Sequence, residues 1–531
     1  MAWMNVVPPS DPQLPVSSED RKDGHRPERA TAPAAVRERE IKLAAPPAFR
    51  LLDLGGIADG IVATSSGERR LLTVYWDTQD LRLIRWGCTL RHRAGEGWTV
   101  KLPDPGGGNG LLSRMEHTFP GPPTRPPEAA LDLVRVYVRT APVVPVARMR
   151  TVRRVVALHS ADGQRLAEID DDEVSVYDGR RVAARFREIE VEVDESAPTE
   201  LVAAVVELLH AGGAGAVDST PKLVRALGPR ALEPPDVTIE DLRSRATAAD
   251  LVRRALAASV VRLIRHDAGV RVGDDPEEVH QARVATRRLR SDLRSFQSLL
   301  DADWTSELRD ELRWLGGELG SVRDIEVLQE RLHAAGGELP ASDKGAVERL
   351  VNGLGSSIRA ARRHLLVAMR SDRYAALLDR LVDAARSPVI TEAASARAHN
   401  VAREVVRGPW QKLRSAARRL DGSSTDEELH DLRIRAKRCR YAAEAVAPVV
   451  GRRATEFARA AAALQQVLGD LHDAVVAEAW LREHVARVSS SGDIFVIGEL
   501  CALQRVTSHQ ARVTWKHTWK QLARKELRSW M

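Results

Sequence analysis

The sequence predicts a multidomain α+β protein, an antiparallel β-rich N-terminal half followed by an all-α half, and three observations lead there. From Glu38 to about Val193, short segments of alternating polarity are separated by Gly, Pro and Asp turns. Beyond Pro234-Pro235 the composition turns to Ala, Leu, Arg and Glu with helical periodicity. Within that helical half, Val279-His280-Gln281-Ala282-Arg283 returns as Leu429-His430-Asp431-Leu432-Arg433, an offset of 430 − 280 = 150 residues. A chain of 531 residues exceeds what one core usually holds, so two or three domains are expected.

Residues 1–34 are rich in Pro, Ser and charge, lack periodicity, and read as a disordered leader. Segments such as Leu71 to Trp76, Cys88 to Arg93, Trp98 to Leu102, Arg114 to Phe119, Val152 to Leu158 and Phe186 to Val193 read as short strands of a barrel or sandwich. Pro105-Gly106-Gly107-Gly108 reads as a loose loop and Thr199 to His210 as a short helix. A tunnel domain over 35–229, a Pro-containing linker over 230–248 and a helical domain over 249–531, itself two units near 249–390 and 391–531, complete the division.

Charge directs the functional reading. The 80 Lys and Arg against 74 Asp and Glu leave a net charge of +6, too little for a globally basic polyanion binder, so anion sites must come from local clustering. Glu38, Glu40 and Lys42 recur at every second residue and share one strand face, with Ile41 and Leu43 on the other. Arg91 with Arg93, Thr99 with Lys101, Arg114 with Glu116, and Arg148 with Arg150 repeat the pattern, and Glu188, Glu190 and Glu192 alternate with Ile189, Val191 and Val193. One such strand reads as a solvated face; five together point to a polar lumen in which carboxylates hold divalent cations and Lys and Arg clamp phosphate.

In the helical half, His280, Arg283, Arg287, Arg290 and Arg294 form one stripe beside an apolar stripe of Val279, Ala282, Leu289, Leu293, Phe296 and Leu300. The repeat keeps this design with His430, Arg433, Lys437 and Arg440 beside Leu429, Leu432, Ala436, Cys439, Ala443 and Val446. A later echo sets Leu319-Gly320-Ser321-Val322-Arg323-Asp324 against Leu468-Gly469-Asp470-Leu471-His472-Asp473. Like charges at i+3 and i+4 repel, and these stripes carry almost no acid, so they read as built for an anion. The histidines read as phosphate contacts rather than metal ligands, since no second His or Cys sits at ligand spacing on the same face. Nucleic acid is disfavoured: aromatic residues make up 4% and offer no stacking platform, while Trp304, Trp314, Trp410, Trp515 and Trp519 read as core. Cys88, Cys439 and Cys501 lie far apart, no secretory or membrane-spanning run is present, and the chain reads as cytoplasmic.

The first half resembles the CYTH, or triphosphate tunnel metalloenzyme, family over about residues 36 to 229. The resemblance rests on the ExExK of Glu38, Glu40 and Lys42, on Asp77 to Leu81, Leu90 to Arg93, Trp98 to Leu102, Arg114-Met115-Glu116, Asp172-Glu173-Val174, Phe186 with its EIEVE run, and Ser219-Thr220-Pro221-Lys222. It implies an eight-stranded antiparallel tunnel that hydrolyses triphosphates with Mg²⁺ or Mn²⁺, or cyclises ATP. Lys42, Arg91, Arg93, Lys101, Arg114, Arg148, Arg150 and Lys222 would grip phosphate; Glu38, Glu40, Glu116, Asp170, Asp172, Glu188, Glu190 and Glu192 would hold metal; Glu38, Glu40 and Lys42 would form the catalytic signature. Two departures are visible, Arg148 where a Lys is common and His117 after Glu116.

From about Asp250 onward the chain resembles a CHAD domain, through His280 to Arg290 and its partner His430 to Tyr441. This implies two helical bundles around a positive channel that binds inorganic polyphosphate, often on granules, with His280, Arg283, Arg287, Arg290, Arg294, His430, Arg433, Lys437 and Arg440 as contacts and Arg288 and Arg438 flanking them. Together the halves imply a polyphosphate-binding, metal-dependent inorganic triphosphatase that acts on tripolyphosphate. The rivals are a non-catalytic polyphosphate adaptor and an adenylate cyclase or thiamine triphosphatase.

Overall fold

The computed structural model describes residues 35–104 and 112–531; the expected leader and the glycine loop after Asp104 lie outside them. Eight strands, β1 (Ala35–Ala45), β2 (Ile61–Asp77), β3 (Thr89–Arg93), β4 (Gly97–Pro103), β5 (Leu112–Phe119), β6 (Val144–Ser160), β7 (Arg165–Asp178) and β8 (Arg181–Val193), close into one antiparallel barrel in the order β1-β5-β4-β3-β2-β6-β7-β8. Pairing of β1 with β8, Lys42 opposite Glu190, seals the ring and removes every free edge. Gly67, at φ +78°, sits where the register of β2 on β6 shifts, a bulge conformation that a side chain would strain.

The alternation seen in the sequence sorts residues between lumen and exterior. Ile41, Leu43, Ile189 and Val191 turn outward and pack with Leu201, Val205 and Leu209 of α3 (Thr199–Ala211), the expected short helix. Inward-facing Tyr75, Met149, Val174 and Val176 pack with Leu223 and Val224 of α4 (Lys222–Leu227), so that this helix plugs one end of the barrel with apolar side chains. Two helices precede these: α1 (Arg82–Arg85) and α2 (Glu128–Val138). Asp77 organises α1, its carboxylate accepting the N–H groups of Thr78, Leu83 and Ile84 at 2.6, 2.8 and 3.0 Å. That is a structural use for part of the quoted motif.

The helical half comprises α5 (Ala248–Val272), α6 (Pro276–Ser295), α7 (Ala302–Gly336), α8 (Lys344–Arg370), α9 (Asp372–Arg386), α10 (Ala398–Ala417), α11 (Asp426–Val450), α12 (Arg452–Val485), α13 (Ser491–Leu522) and α14 (Lys525–Arg528). The repeat is a repeat of helices: α5 and α10, α6 and α11, and α7 and α12 each start 150 residues apart (398 − 248, 426 − 276, 452 − 302). The units meet in a reciprocal bridge, Ala248 N–H donating to Ala396 O at 2.8 Å and Ala398 N–H to Ala246 O at 3.0 Å. Capping boxes at Thr247/Asp250 and Thr425/Glu428 start α5 and α11. Both apolar stripes are buried, and all five tryptophans named above belong to or pack on the core.

The core does not stop between the halves. Leu90, Trp98, Val100 and Phe119 on the barrel's outer face, Val134 and Tyr137 of α2, and Leu251, Leu289 and Leu429 of the helices form one continuous apolar cluster. Polar contacts fix the docking angle. Buried Arg139 pairs with Asp236 of the linker and, at 2.8 Å, with Asp379 of α9, while Asp132 of α2 accepts from Arg370 at 2.5 Å. The Pro-containing linker is thus pinned, Trp86 Nε1 also donating to Asp236 at 2.9 Å. Among the described residues, no helix is long and apolar enough to cross a membrane.

Candidate functional sites: a charged tunnel and a basic channel

The barrel encloses a cavity of about 420 Å³ whose wall is mostly charged. Lys42 of the ExExK strand pairs with Glu190 and, at 3.2 Å, with Glu40. Lys101 reaches both oxygens of Glu38 at 2.5 Å and Glu116 at 3.0 Å. Lys222, carried by the plug helix, contacts Asp172, Glu190 and Glu188 at 2.6, 2.5 and 3.0 Å. Arg91, Arg93 and Arg114 line the same cavity, Arg91 lying 3.9 Å from Glu116 and Arg93 3.0 Å from Glu96.

Burial and charge crowding set the electrostatics. Burial pushes the Asp170 carboxyl up to about 8 against the pull of Arg153, with Asp172 adding repulsion, and burial with Glu38 lifts Glu192 to about 7. Against the effect of burial, Lys222, Lys42 and Arg153 hold Glu190 well below the carboxylate range, and Lys101 and Arg91 hold Glu38 down. Glu190 and Glu40 in turn raise the Lys42 ammonium despite its burial. Glu40 Oε1, both carboxylate oxygens of Asp170 and both of Glu188 are buried without a well-formed hydrogen bond.

Two expected phosphate contacts lie elsewhere. Arg148 and Arg150 are exposed on the outer face of β6, because Met149, Thr151 and Arg153 take the inward positions. The parity follows from the plug: the inward side of β6 begins against the apolar α4, where Met149 fits and a guanidinium does not. Arg153, which sequence reasoning missed, takes the inward place instead, pairing with Asp170, with Asp172 at 2.6 Å and with Glu190 at 3.1 Å. Strand β7 is missing from the segments read as strands, although the resemblance names Asp170 and Asp172, because acidic residues are poor strand formers. Asp170 and Asp172 point inward to Arg153, whereas Asp171 turns outward to Arg187 at 2.7 Å.

An oxygen-only set with unsatisfied buried oxygens has the donor chemistry of a hard divalent cation. Among the described residues the carboxylates are drawn to Lys42, Lys222 and Arg153, and no group of three or more His, Cys, Asp or Glu is arranged as a ligand set.

In the helical half, α6 crosses α11 so that the two basic stripes face each other. Burial, with Arg287, Arg433, Arg283 and Arg290 nearby, drives Lys437 down to about 7. Arg283 bonds Asp324 at 2.8 Å, but Arg287, Arg290, Arg294, Arg433, Lys437 and Arg438 make no ion pair among the described residues, and the Nε atoms of Arg287 and Arg433 are buried without a partner. The glycines of the echo lie beside these side chains: a Cβ on Gly320 would make ordinary contact with the Arg283 guanidinium at 3.6 Å, and one on Gly469 with that of Arg433 at 3.5 Å. Arg309, on α7, joins the cluster, depressed by burial and by Arg294 and Arg313; its place on a facing helix concealed it from the stripe analysis.

Two expected contacts are already engaged. Arg288 pairs with Glu444, and Arg440 donates to the same carboxylate at 2.7 Å. His280 opens the first stripe, while His430 meets His472 of α12 with their Nδ1 atoms 3.0 Å apart. Burial together with His430, Arg433 and Lys437 lowers His472 to about 4, so both rings are neutral at pH 7 and one donates to the other. The histidine missing from the helix's own face comes from a neighbour, in surroundings too cationic for a metal.

Comparison with known proteins agrees with this architecture. Residues 254–482 match the CHAD domain family. Over 480 residues the chain is 32% identical to the uncharacterized Mycobacterium tuberculosis proteins MT2285 and Rv2226, an alignment that takes in 84% of this chain and 88% of each relative. The chain belongs to the same family as these two proteins, with a CHAD domain over residues 254–482. Among solved structures, PptA from Streptomyces chartreusis is similar over 52% of this chain and all of its own, at 24% identity and a TM-score of 0.43. The CHAD domain of the plant Ricinus communis covers 54% of this chain and 95% of its own at 25% identity, TM-score 0.45. HpAC1 from Hippeastrum, described with a dominant triphosphatase activity, covers 36% and 98% at 18% identity, TM-score 0.24.

Proposed function

We propose that this protein captures inorganic polyphosphate in its helical channel and hydrolyses short phosphate chains, tripolyphosphate above all, in its tunnel with Mg²⁺ or Mn²⁺. The observation that carries the reading is the convergence of Lys42, Lys101, Lys222, Arg91, Arg93, Arg114 and Arg153 with inward carboxylates on one cavity. Glu38, Glu40, Asp170, Asp172, Glu188 and Glu190 would hold the cation. The chemistry such an ion supplies when bound is neutralisation of phosphoryl charge and activation of water.

The protein's own cations bind and orient the chain: on the arrival of phosphate, Lys42, Lys222 and Arg153 exchange carboxylate partners for phosphoryl oxygens, freeing those carboxylates. The apolar plug excludes water behind Lys222 and makes the tunnel a blind socket that reads the end of a chain. Tyr75 is the single aromatic among the described lining residues, so nothing there stacks a nucleobase, which favours an inorganic substrate over ATP.

The test is phosphate release from tripolyphosphate, ATP and thiamine triphosphate with Mg²⁺, Mn²⁺ or EDTA, in wild type and Glu40→Ala. Metal-dependent, Glu40-sensitive release that favours tripolyphosphate is expected; silence beside tight polyphosphate binding would make the protein an adaptor.

A further inference from the structure

The two stripes of the channel carry the same sign of charge at every shared basic position except the last. Arg283, Arg287 and Arg290 correspond to Arg433, Lys437 and Arg440, but the counterpart of Arg294 is Glu444 (444 − 294 = 150). This exchange reverses a contact between the units. Arg288 of α6 reaches across to Glu444 of α11, and Arg440 donates to the same carboxylate at 2.7 Å. The equivalent approach on the other side of the axis relating the units sets Arg438 against Arg294, two guanidiniums facing one another. Neither has an ion-pair partner among the described residues, and Arg309 and Arg313 of α7 stand beside them, Arg313 paired with Asp310 at 2.5 Å.

On one side of the channel cations outnumber the nearby carboxylates and Arg294 and Arg438 stand without an ion-pair partner among the described residues, while on the other the protein has supplied the anion at the contact itself. We propose that Glu444 is a charge stop, which holds Arg288 and Arg440 in place of phosphate so that a bound polyphosphate chain emerges only past Arg294 and Arg438. The proposal rests on the channel being a polyphosphate site, and it predicts that equivalent residues of the two repeats contribute unequally. A carboxylate in the path also repels the polymer, so removing it adds phosphate contacts on that side.

The experiment is polyphosphate binding by the full chain in EDTA over a series of salt concentrations. Arg290→Ala should weaken binding about tenfold, as loss of a charge-assisted contact does, while Arg440→Ala should change it less than about twofold. Glu444→Gln should tighten binding severalfold, steepen the salt dependence by about one phosphate contact, and make Arg440→Ala as costly as Arg290→Ala. Arg294 is exposed, so Arg294→Glu should fold normally and lose about tenfold in affinity. Equal losses from Arg290→Ala and Arg440→Ala in the wild-type background, or a Glu444→Gln variant with unchanged affinity and slope, would overturn the stop while leaving the channel in place. Binding that is absent in wild type, or indifferent to Arg433→Ala, would overturn both the stop and the channel reading.

Discussion

The tunnel and the channel hold their positive charge in opposite ways. In the tunnel, Lys42, Lys101, Lys222 and Arg153 each touch two or more carboxylates, so the lumen is close to internally neutralised. In the channel, Arg287, Arg290, Arg433 and Lys437 crowd together and make no ion pair among the described residues, and burial leaves their repulsion poorly screened. A site of the first kind accepts a polyanion only when cations arrive to take over the displaced carboxylates. A site of the second kind gains from the anion alone. The difference predicts metal-dependent occupancy in one half and metal-independent occupancy in the other.

The largest effect expected to sharpen this contrast comes from the tunnel. Glu40→Ala should lower tripolyphosphate turnover by roughly a hundredfold or more, in the range for loss of a preorganised electrostatic group, and leave polyphosphate binding in EDTA untouched. Steady-state phosphate release beside a binding isotherm checks both. A variant that lost both functions would break the comparison. Next, Arg287→Ala combined with Arg433→Ala should weaken polyphosphate binding by about a hundredfold at two contacts of about 1.4 kcal/mol each, with turnover of tripolyphosphate unchanged.

The interface carries a third expectation. Asp236→Ala leaves Arg139 and Trp86 without a shared partner, and breaking one member of a buried pair costs about 3 kcal/mol. Calorimetry should show a lower and broadened transition as the halves lose their common melting. The smallest effect is a pH dependence. With the Lys437 ammonium at about 7 in the folded chain and about 10.4 when unfolded, its charged form penalises folding most below pH 7, and the penalty fades as pH rises toward 10.4. A polyanion reverses that preference and takes up a proton, so affinity should fall about fivefold from pH 7 to pH 8, a slope that Lys437→Met abolishes. A flat profile in wild type would place Lys437 away from the bound chain.

Legibility in the sequence followed local periodicity and stopped where distant elements decide. The period of two put Glu38, Glu40 and Lys42 on one face, and the lumen confirms that placement. The same period put Arg148 and Arg150 on one face without saying which way it turns, and only the apolar plug from α4, some seventy residues onward, sends that face outward and brings Arg153 in. An acidic strand such as β7 is stable because Arg153 faces it within and Arg187 without, neither of which is a neighbour in sequence. In the helices, the stripe and its repeat were visible at once. His472 was visible in the echo but its contact with His430 was not, while Arg309 enters from a facing helix and Glu444 reverses the sign at one position, and the stripe shows neither.

The reciprocal bridge between Ala246–Ala248 and Ala396–Ala398 has one more consequence. Each unit gives the other the same hydrogen bond that it receives, which is the geometry of an isologous contact in a twofold dimer. The helical half is thus a homodimer written into one polypeptide. Within one polypeptide its two members need not be identical: Asp379 of α9 in one seats the tunnel on Arg139, while the other carries Glu444.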